Sequence, residues 1–172
     1  MELDEIKKKS KNTKLTADKI LQSSKLISII SKFGDPEIIG SYKYDLMYGP
    51  DIDIVVETEE PRLSSINALT ELIQVEFFSK YEYGNFVKFP RINRPNGYII
   101  VLKIEIDNFN WEVEIWFLNK EKRPKNDLDL LLTNITEDQR NEILKLKHSR
   151  EQEGLNKHNL SSVEIYKKVL SK

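Results

Sequence analysis

Residues 38–56 read Ile38-Ile39-Gly40-Ser41-Tyr42-Lys43-Tyr44-Asp45-Leu46-Met47-Tyr48-Gly49-Pro50-Asp51-Ile52-Asp53-Ile54-Val55-Val56. An apolar run ends in Gly-Ser, nine residues intervene, and a second apolar run opens with two aspartates separated by one isoleucine. On an extended strand alternate side chains share a face, so Asp51 and Asp53 project together, about 6–7 Å apart along the backbone, while Ile52 and Ile54 turn to the core. Two carboxylates aimed the same way suit a pair of oxygen-loving cations about 3.5–4 Å apart, the arrangement that metal-assisted phosphoryl transfer requires. Glycine allows close backbone approach, and Ser41 adds a hydroxyl to backbone N–H groups able to take a phosphate. An Asp-x-Asp strand taken alone reads as a solvated edge. Here the like charges follow a Gly-Ser turn at a defined distance and need a cation or water to relieve them.

Working outward, Ile20, Leu26, Ile27, Ile29, Ile30 and Phe33 recur at mostly three- and four-residue steps and predict an amphipathic helix from about Lys14 to Phe33. Gly34 and Pro36 end it. Glu37-Ile38-Ile39 then forms a strand, a polar and aromatic turn follows, and the Asp51–Val56 stretch returns as a second strand. Leu63, Ile66, Leu69, Leu72, Ile73 and Phe77 predict a helix from Pro61 to about Lys80. Residues 85–89, 97–107 and 111–118 are rich in β-branched and aromatic side chains and read as three more strands, with Asp107-Asn108-Phe109-Asn110 as the hairpin turn. The charged stretch KEKRPKN at 120–126 marks a boundary. Beyond it, Thr136 with Gln139 matches a capping box, and Ser161 or Ser162 caps a last helix carrying Val163, Ile165, Tyr166, Val169 and Leu170. No repeat of fixed period occurs.

A chain of 172 residues fits one domain with a small helical appendage. Cysteine is absent, which removes disulfides, thiolate metal sites and cysteine nucleophiles together. The two histidines, His148 and His158, both lie late in the chain, so a histidine-centred site has little to build on and oxygen chemistry is favoured. With 27 basic against 28 acidic side chains the net charge is −1, so no whole-molecule field draws nucleic acid, and such a partner needs a local basic patch. The first 30 residues are too polar for a signal peptide and no apolar run reaches the length of a membrane span. A cytoplasmic location is the expectation.

Ile39-Gly40-Ser41, the nine-residue spacer and Asp51-Ile52-Asp53-Ile54 resemble, position by position, the two-part motif of the nucleotidyltransferase superfamily typified by DNA polymerase beta. The resemblance spans about residues 36–118. It implies an α/β (α+β) fold: a mixed-sheet core with helices on one face and acids on the other, covering 1–119 with its N-terminal helices, followed by a C-terminal helical extension over 126–172. It also implies a third carboxylate on a later strand. Trp111-Glu112-Val113-Glu114-Ile115-Trp116-Phe117 offers two on one face, of which Glu114 precedes the long apolar run and Glu112 is held in reserve. The alternative is that both only balance Lys103 across the hairpin. Asp51, Asp53 and Glu114 are then the catalytic and metal-binding acids, holding two Mg²⁺, with Gly40, Ser41 and Lys43 on the nucleotide. Nucleoside monophosphate would pass from an NTP to a hydroxyl with release of pyrophosphate.

The acceptor is left open among a small molecule, a protein side chain and a tRNA end, with a long template disfavoured by the neutral charge. Lys88, Arg91, Arg94 and Lys103 each read first as solvated cations, and Tyr42, Tyr44 and Tyr48 as packing in their loop rather than stacking platforms. Two rival readings remain. One is a nucleotide- or partner-binding module without turnover; the other is a structural domain whose acids keep an edge strand soluble.

Overall fold

In the computed structural model, residues 2–123, 128–155 and 159–171 are described. Their order is α1 (Leu3–Ser23), α2 (Leu26–Ile30), β1 (Asp35–Ile39), α3 (Gly40–Lys43), β2 (Asp51–Glu57), α4 (Pro61–Gln74), β3 (Lys80–Asn85), β4 (Tyr98–Ile106), β5 (Phe109–Leu118), a 3-10 turn (Lys120–Lys122), α5 (Leu128–Thr133), α6 (Glu137–Gln152) and α7 (Ser162–Leu170). The chain divides into two compact units, one of Thr16–Gly40 and Pro50–Pro124, the other of Met1–Leu15, Ser41–Gly49 and Lys125–Lys172.

The first unit holds the sheet, in the order β1-β2-β5-β4-β3. β2 and β5 run parallel and every other pair is antiparallel, which makes the sheet mixed. Strand parity separates its faces. Ile52, Ile54 and Val56 of β2, Val113, Ile115 and Phe117 of β5, and Ile100 and Leu102 of β4 are all buried on one side. That side receives α4, which packs on β4 and β5, while α2 packs on α4 and β1. The apolar face of the sheet is thus covered by helices, an α+β arrangement with helices on one face. Pro36, which cannot donate to a ladder, sits in edge strand β1.

Several expected boundaries move. The single helix over 14–33 is two: α1 begins at Leu3, and the break falls at Lys25, whose φ of 54° is left-handed, with the buried Ser24 hydroxyl accepting from the Leu26 N–H at 3.3 Å. The helix from Pro61 stops at Gln74 because Glu76 turns to φ 54° and the following residues enter β3. The strand expected over 85–89 ends at Asn85, whose Oδ1 accepts from the N–H groups of Val87 (3.2 Å) and Lys88 (2.9 Å) and turns the chain out of the sheet. The segment after Ile39 is a short helix, α3, rather than an open turn. The hairpin turn shrinks to Asp107 and Asn108, since Phe109 already pairs with Ile106.

The second unit is helical. Ile6, Tyr44, Leu46, Tyr48, Leu132, Ile143, Leu144, Ile165, Tyr166 and Val169 form its core. Tyr44 and Tyr48 are buried there, in keeping with their reading as packing residues. Both capping boxes are made, Thr136 with Gln139 on α6 and Ser161 with Glu164 on α7. Lys147 is buried as well; its ammonium donates to the Leu46 carbonyl at 2.7 Å and to the Tyr166 hydroxyl at 2.9 Å. Those bonds offset the cost of burying a charge. The only sequence sign of it was position: Lys147 lies four residues after Ile143, on the same helix face.

Candidate active site

The face of the sheet away from α4 carries the acids, and the register arranges them in rows. One row runs Asp51, Glu112, Lys103, Lys80 across four strands; the next runs Ile39, Asp53, Glu114, Val101, Glu82 across all five. Four carboxylates therefore occupy a two-by-two block on the parallel neighbours β2 and β5. Neighbouring strands lie about 4.8 Å apart, so this packing of like charge opposes folding unless cations relieve it. The following row, Glu37, Val55, Trp116, Ile99 and Gly84, is mostly apolar, and Val55, Ile99, Trp116 and Leu118 form a small core with Phe86 against them. The block is thus bounded on one side by packed apolar side chains.

Each acid of the block is placed by its strand. Asp51 and Asp53 are half-buried on β2, with buried Ile52 and Ile54 as the alternating anchors. Gly40 closes the near end: its φ is +67°, and a Cβ there would lie 2.7 Å from Asp53 Oδ2. Glycine is therefore required twice, for the left-handed backbone and for the space that the Asp53 carboxylate fills. Glu114 is 13% exposed, and its Oε2 accepts from Arg94 Nη1 at 3.3 Å. Glu112 instead faces Lys103 at 3.3 Å, and Lys103 also reaches Glu82 at 3.2 Å. The Lys103 ammonium is held above its ordinary range, first by the hydrogen bond to Glu82 and next by that to Glu112. The two candidates for the third acid thus differ: Glu112 does balance Lys103, while Glu114 sits directly beside Asp53 in register.

Arg94, which by sequence alone reads as a solvated cation, is the counter-ion of Glu114. Arg123, within the charged stretch at 120–126, carries no sequence signal for its role. On the same face it bonds Glu57 at 2.6 Å and also pairs with Glu37, tying β1 to β2, and its guanidinium is raised first by Glu57. Ser41 and Lys43 belong to the helical unit, where the Lys43 ammonium lies 3.8 Å from Asp129 and 5.6 Å from the Tyr44 ring centre. His148 is there too, its Nδ1 3.0 Å from the Tyr48 hydroxyl; His158 and residues 124–126 of the expected boundary lie outside the described residues.

Among the described residues no group of three or more His, Cys, Asp or Glu is gathered closely enough to hold a metal ion. The donor chemistry nonetheless suits Mg²⁺, which is ordinarily bound by one or two carboxylates together with substrate phosphates rather than by an all-protein cage. Asp51 and Asp53 are the two carboxylates that would hold such an ion, with the space above Gly40 taken by the Asp53 carboxylate.

No protein-family model matches the chain, and no curated protein matches it either. Among solved structures it is similar to one described as the polymerase core of TRAMP, a RNA surveillance complex, with a TM-score of 0.61 and 19% identity, over 91% of this chain and 48% of that one. The chain thus spans about half the length of the solved structure it matches. No helix among the described residues is long and apolar enough to cross a membrane. At this identity the likeness speaks for architecture alone: the fold is α+β, with a mixed five-stranded sheet, and is similar to that of this polymerase core.

Proposed function

We propose that the chain is a metal-dependent nucleotidyltransferase that moves a nucleoside monophosphate from an NTP to a hydroxyl acceptor. The observation that carries this reading is the pairing of Asp53 with Glu114 across parallel strands, beside Asp51 and against Gly40. The proposal is confined to residues of the sheet unit. Asp51 and Asp53 would hold Mg²⁺, two ions in the fullest form, and Glu114 would complete the oxygen set. Bound Mg²⁺ supplies neutralisation of charge on the phosphates. The acceptor oxygen bonds to the α-phosphorus, the α–β phosphoanhydride breaks, pyrophosphate leaves, and the hydroxyl proton passes to the Glu114 carboxylate. Gly40 leaves Asp53 its position, so catalysis rests on placement and electrostatics.

One observation favours a second reading, a nucleotide- or partner-binding module without turnover: Glu114 is engaged by Arg94. Thermal denaturation with each NTP and Mg²⁺, on wild type and Asp53→Asn, tests the site itself. A ligand that binds only the folded state stabilises it by about 2.7 kcal/mol at a hundredfold excess over Kd. The expected result is that one NTP raises the wild-type Tm and leaves Asp53→Asn unmoved. Equal shifts in both proteins would remove Asp53 from the site. Pyrophosphate release across a panel of acceptors then separates the readings: turnover supports the transferase, and Mg-NTP binding without release supports the module.

A further inference from the structure

The link between β3 and β4, residues 86–96, reads Phe86-Val87-Lys88-Phe89-Pro90-Arg91-Ile92-Asn93-Arg94-Pro95-Asn96. It carries three cations and no carboxylate in a chain whose net charge is −1. It is a bonded loop: Asn85 Oδ1 accepts from the Val87 and Lys88 N–H groups, the Phe89 N–H reaches the Asn85 carbonyl at 3.2 Å, and the Phe86 N–H reaches the Gly97 carbonyl at 2.9 Å. Phe86 anchors it, packing on Trp116 with ring centres 5.3 Å apart. Its other large apolar side chains go the opposite way. Phe89 is 66% exposed and Ile92 is 90% exposed.

Single exposed apolar residues are common and mean little. Here they alternate with three cations, two of which have no carboxylate in ion-pair range among the described residues. Among the described residues neither Lys88 nor Arg91 has a carboxylate in ion-pair range; Lys88 lies 5.6 Å from the Phe89 ring centre and Arg91 5.5 Å from that of Phe86. Arg94, the third cation, bonds Glu114, so the loop stands over the carboxylate face. A basic, aromatic-bearing ribbon suits a polyanion whose flat bases can stack, because phosphates meet the cations and a base covers the Phe89 ring. An acidic peptide offers no matching flat face, and the exposed apolar area is interrupted by cations at every second or third position. Bonds made in advance of binding also lower the entropy lost on association.

We propose that loop 86–96 is a docking surface for single-stranded nucleic acid, with Phe89 stacking on a base and Lys88 and Arg91 taking phosphates. This deepens the transferase reading and rests on it for one consequence, that the acceptor hydroxyl is the end of such a strand. The test uses the full chain and a labelled single-stranded RNA of about 12 nucleotides, followed by anisotropy across a salt series. Binding at low salt is expected, with log K falling against log salt at a slope near −1.4 for the two phosphate-binding cations. The double variant Lys88→Ala/Arg91→Ala makes that slope shallower by about 1.4, and Phe89→Ala weakens binding at least about fivefold, with the Tm of each variant unchanged. An absence of binding at low salt overturns the proposal, as does binding indifferent to these variants. Duplex RNA bound equally well without help from Phe89 overturns the stacking surface, and loop-dependent capture by anionic phospholipid vesicles without RNA binding overturns it in favour of a membrane. Asp53→Asn, which is expected to lose the Mg-NTP shift, should keep its RNA affinity. If RNA binds through the loop and no NTP stabilises the wild type, the transferase reading fails and the docking surface stands.

Discussion

At Gly40 a single hydrogen in place of a side chain leaves room for the Asp53 carboxylate, while the backbone holds a φ of +67°. Alanine there meets both obstacles. Left-handed backbone costs a residue with a Cβ about 1–2 kcal/mol, and the methyl would have to displace an oxygen 2.7 Å away. Gly40→Ala is expected to lower unfolding free energy in urea by about that amount and, like the loss expected of Asp53→Asn, to abolish the Mg-NTP stabilisation. Stability equal to wild type would show that the left-handed turn is dispensable. This role was half legible in the sequence: Gly-Ser before two aspartates marked a close approach, but that the object approached is Asp53 required the β1–β2 register, which pairs Ile39 with Asp53. Arg94 is the opposite case. Twenty residues from Glu114 in sequence, it carries no local pattern that names its partner.

The β4–β5 hairpin shows what an element can say about itself. Asp107 and Asn108 have φ of 52° and 62°, as a two-residue turn matched to strand twist requires, and Asp and Asn are among the few residues with a Cβ that accept such angles. Asn108→Val should destabilise the protein by about 1–2 kcal/mol in urea unfolding, whereas Asn108→Gly keeps the wild-type midpoint within a few tenths of a kcal/mol. Equal costs for the two substitutions would place the constraint in the Asn108 side chain instead of its backbone. The turn sets the register that puts Glu112 opposite Lys103 and Glu114 opposite Val101. A slip of one residue would send both glutamates to the helix-covered face. Where the elements differ from the apolar pattern, local backbone and side-chain bonding decides: the Asn85 side chain turns the chain out of β3, and the left-handed backbone at Lys25 with the Ser24 hydroxyl on the Leu26 N–H breaks the first long helix.

On the scale of the whole molecule, two units are built from interleaved stretches of one chain, and each has its own buried polar commitments. In the helical unit Tyr44 and Tyr48 are both pushed up to about 12 from an ordinary value of 10. Burial is the first cause for each, followed by the Asp129 hydrogen bond for Tyr44 and the charge of Glu151 for Tyr48. A raised folded-state value favours the neutral phenol in the native protein. The stability this confers is complete below pH 10 and is lost as pH rises toward 12, because the unfolded chain gives up its protons first. Urea unfolding measured from pH 8 to pH 12 should therefore show a decline in which each tyrosine accounts for roughly 1–2 kcal/mol. Tyr44→Phe/Tyr48→Phe should flatten that decline; an unchanged slope would assign alkaline sensitivity to other groups.

By itself the sequence determined local facts: β1, β2, β4 and β5 as strands, α4, α6 and α7 as helices, the shared face of Asp51 and Asp53, the shared face of Glu112 and Glu114, and the caps of α6 and α7. These depend on periods of 2 and 3.6 residues and on side chains a few positions apart, so they are written into short stretches. Only the tertiary structure decided that β2 and β5 are parallel neighbours, that Asp53 stands beside Glu114 while Glu112 answers Lys103, and that Arg94 reaches Glu114. The same holds for Lys147, whose partners Leu46 and Tyr166 come from distant parts of the chain. Pairing across a sheet is chosen by the packing of all its strands and helices together, and no single segment contains that information.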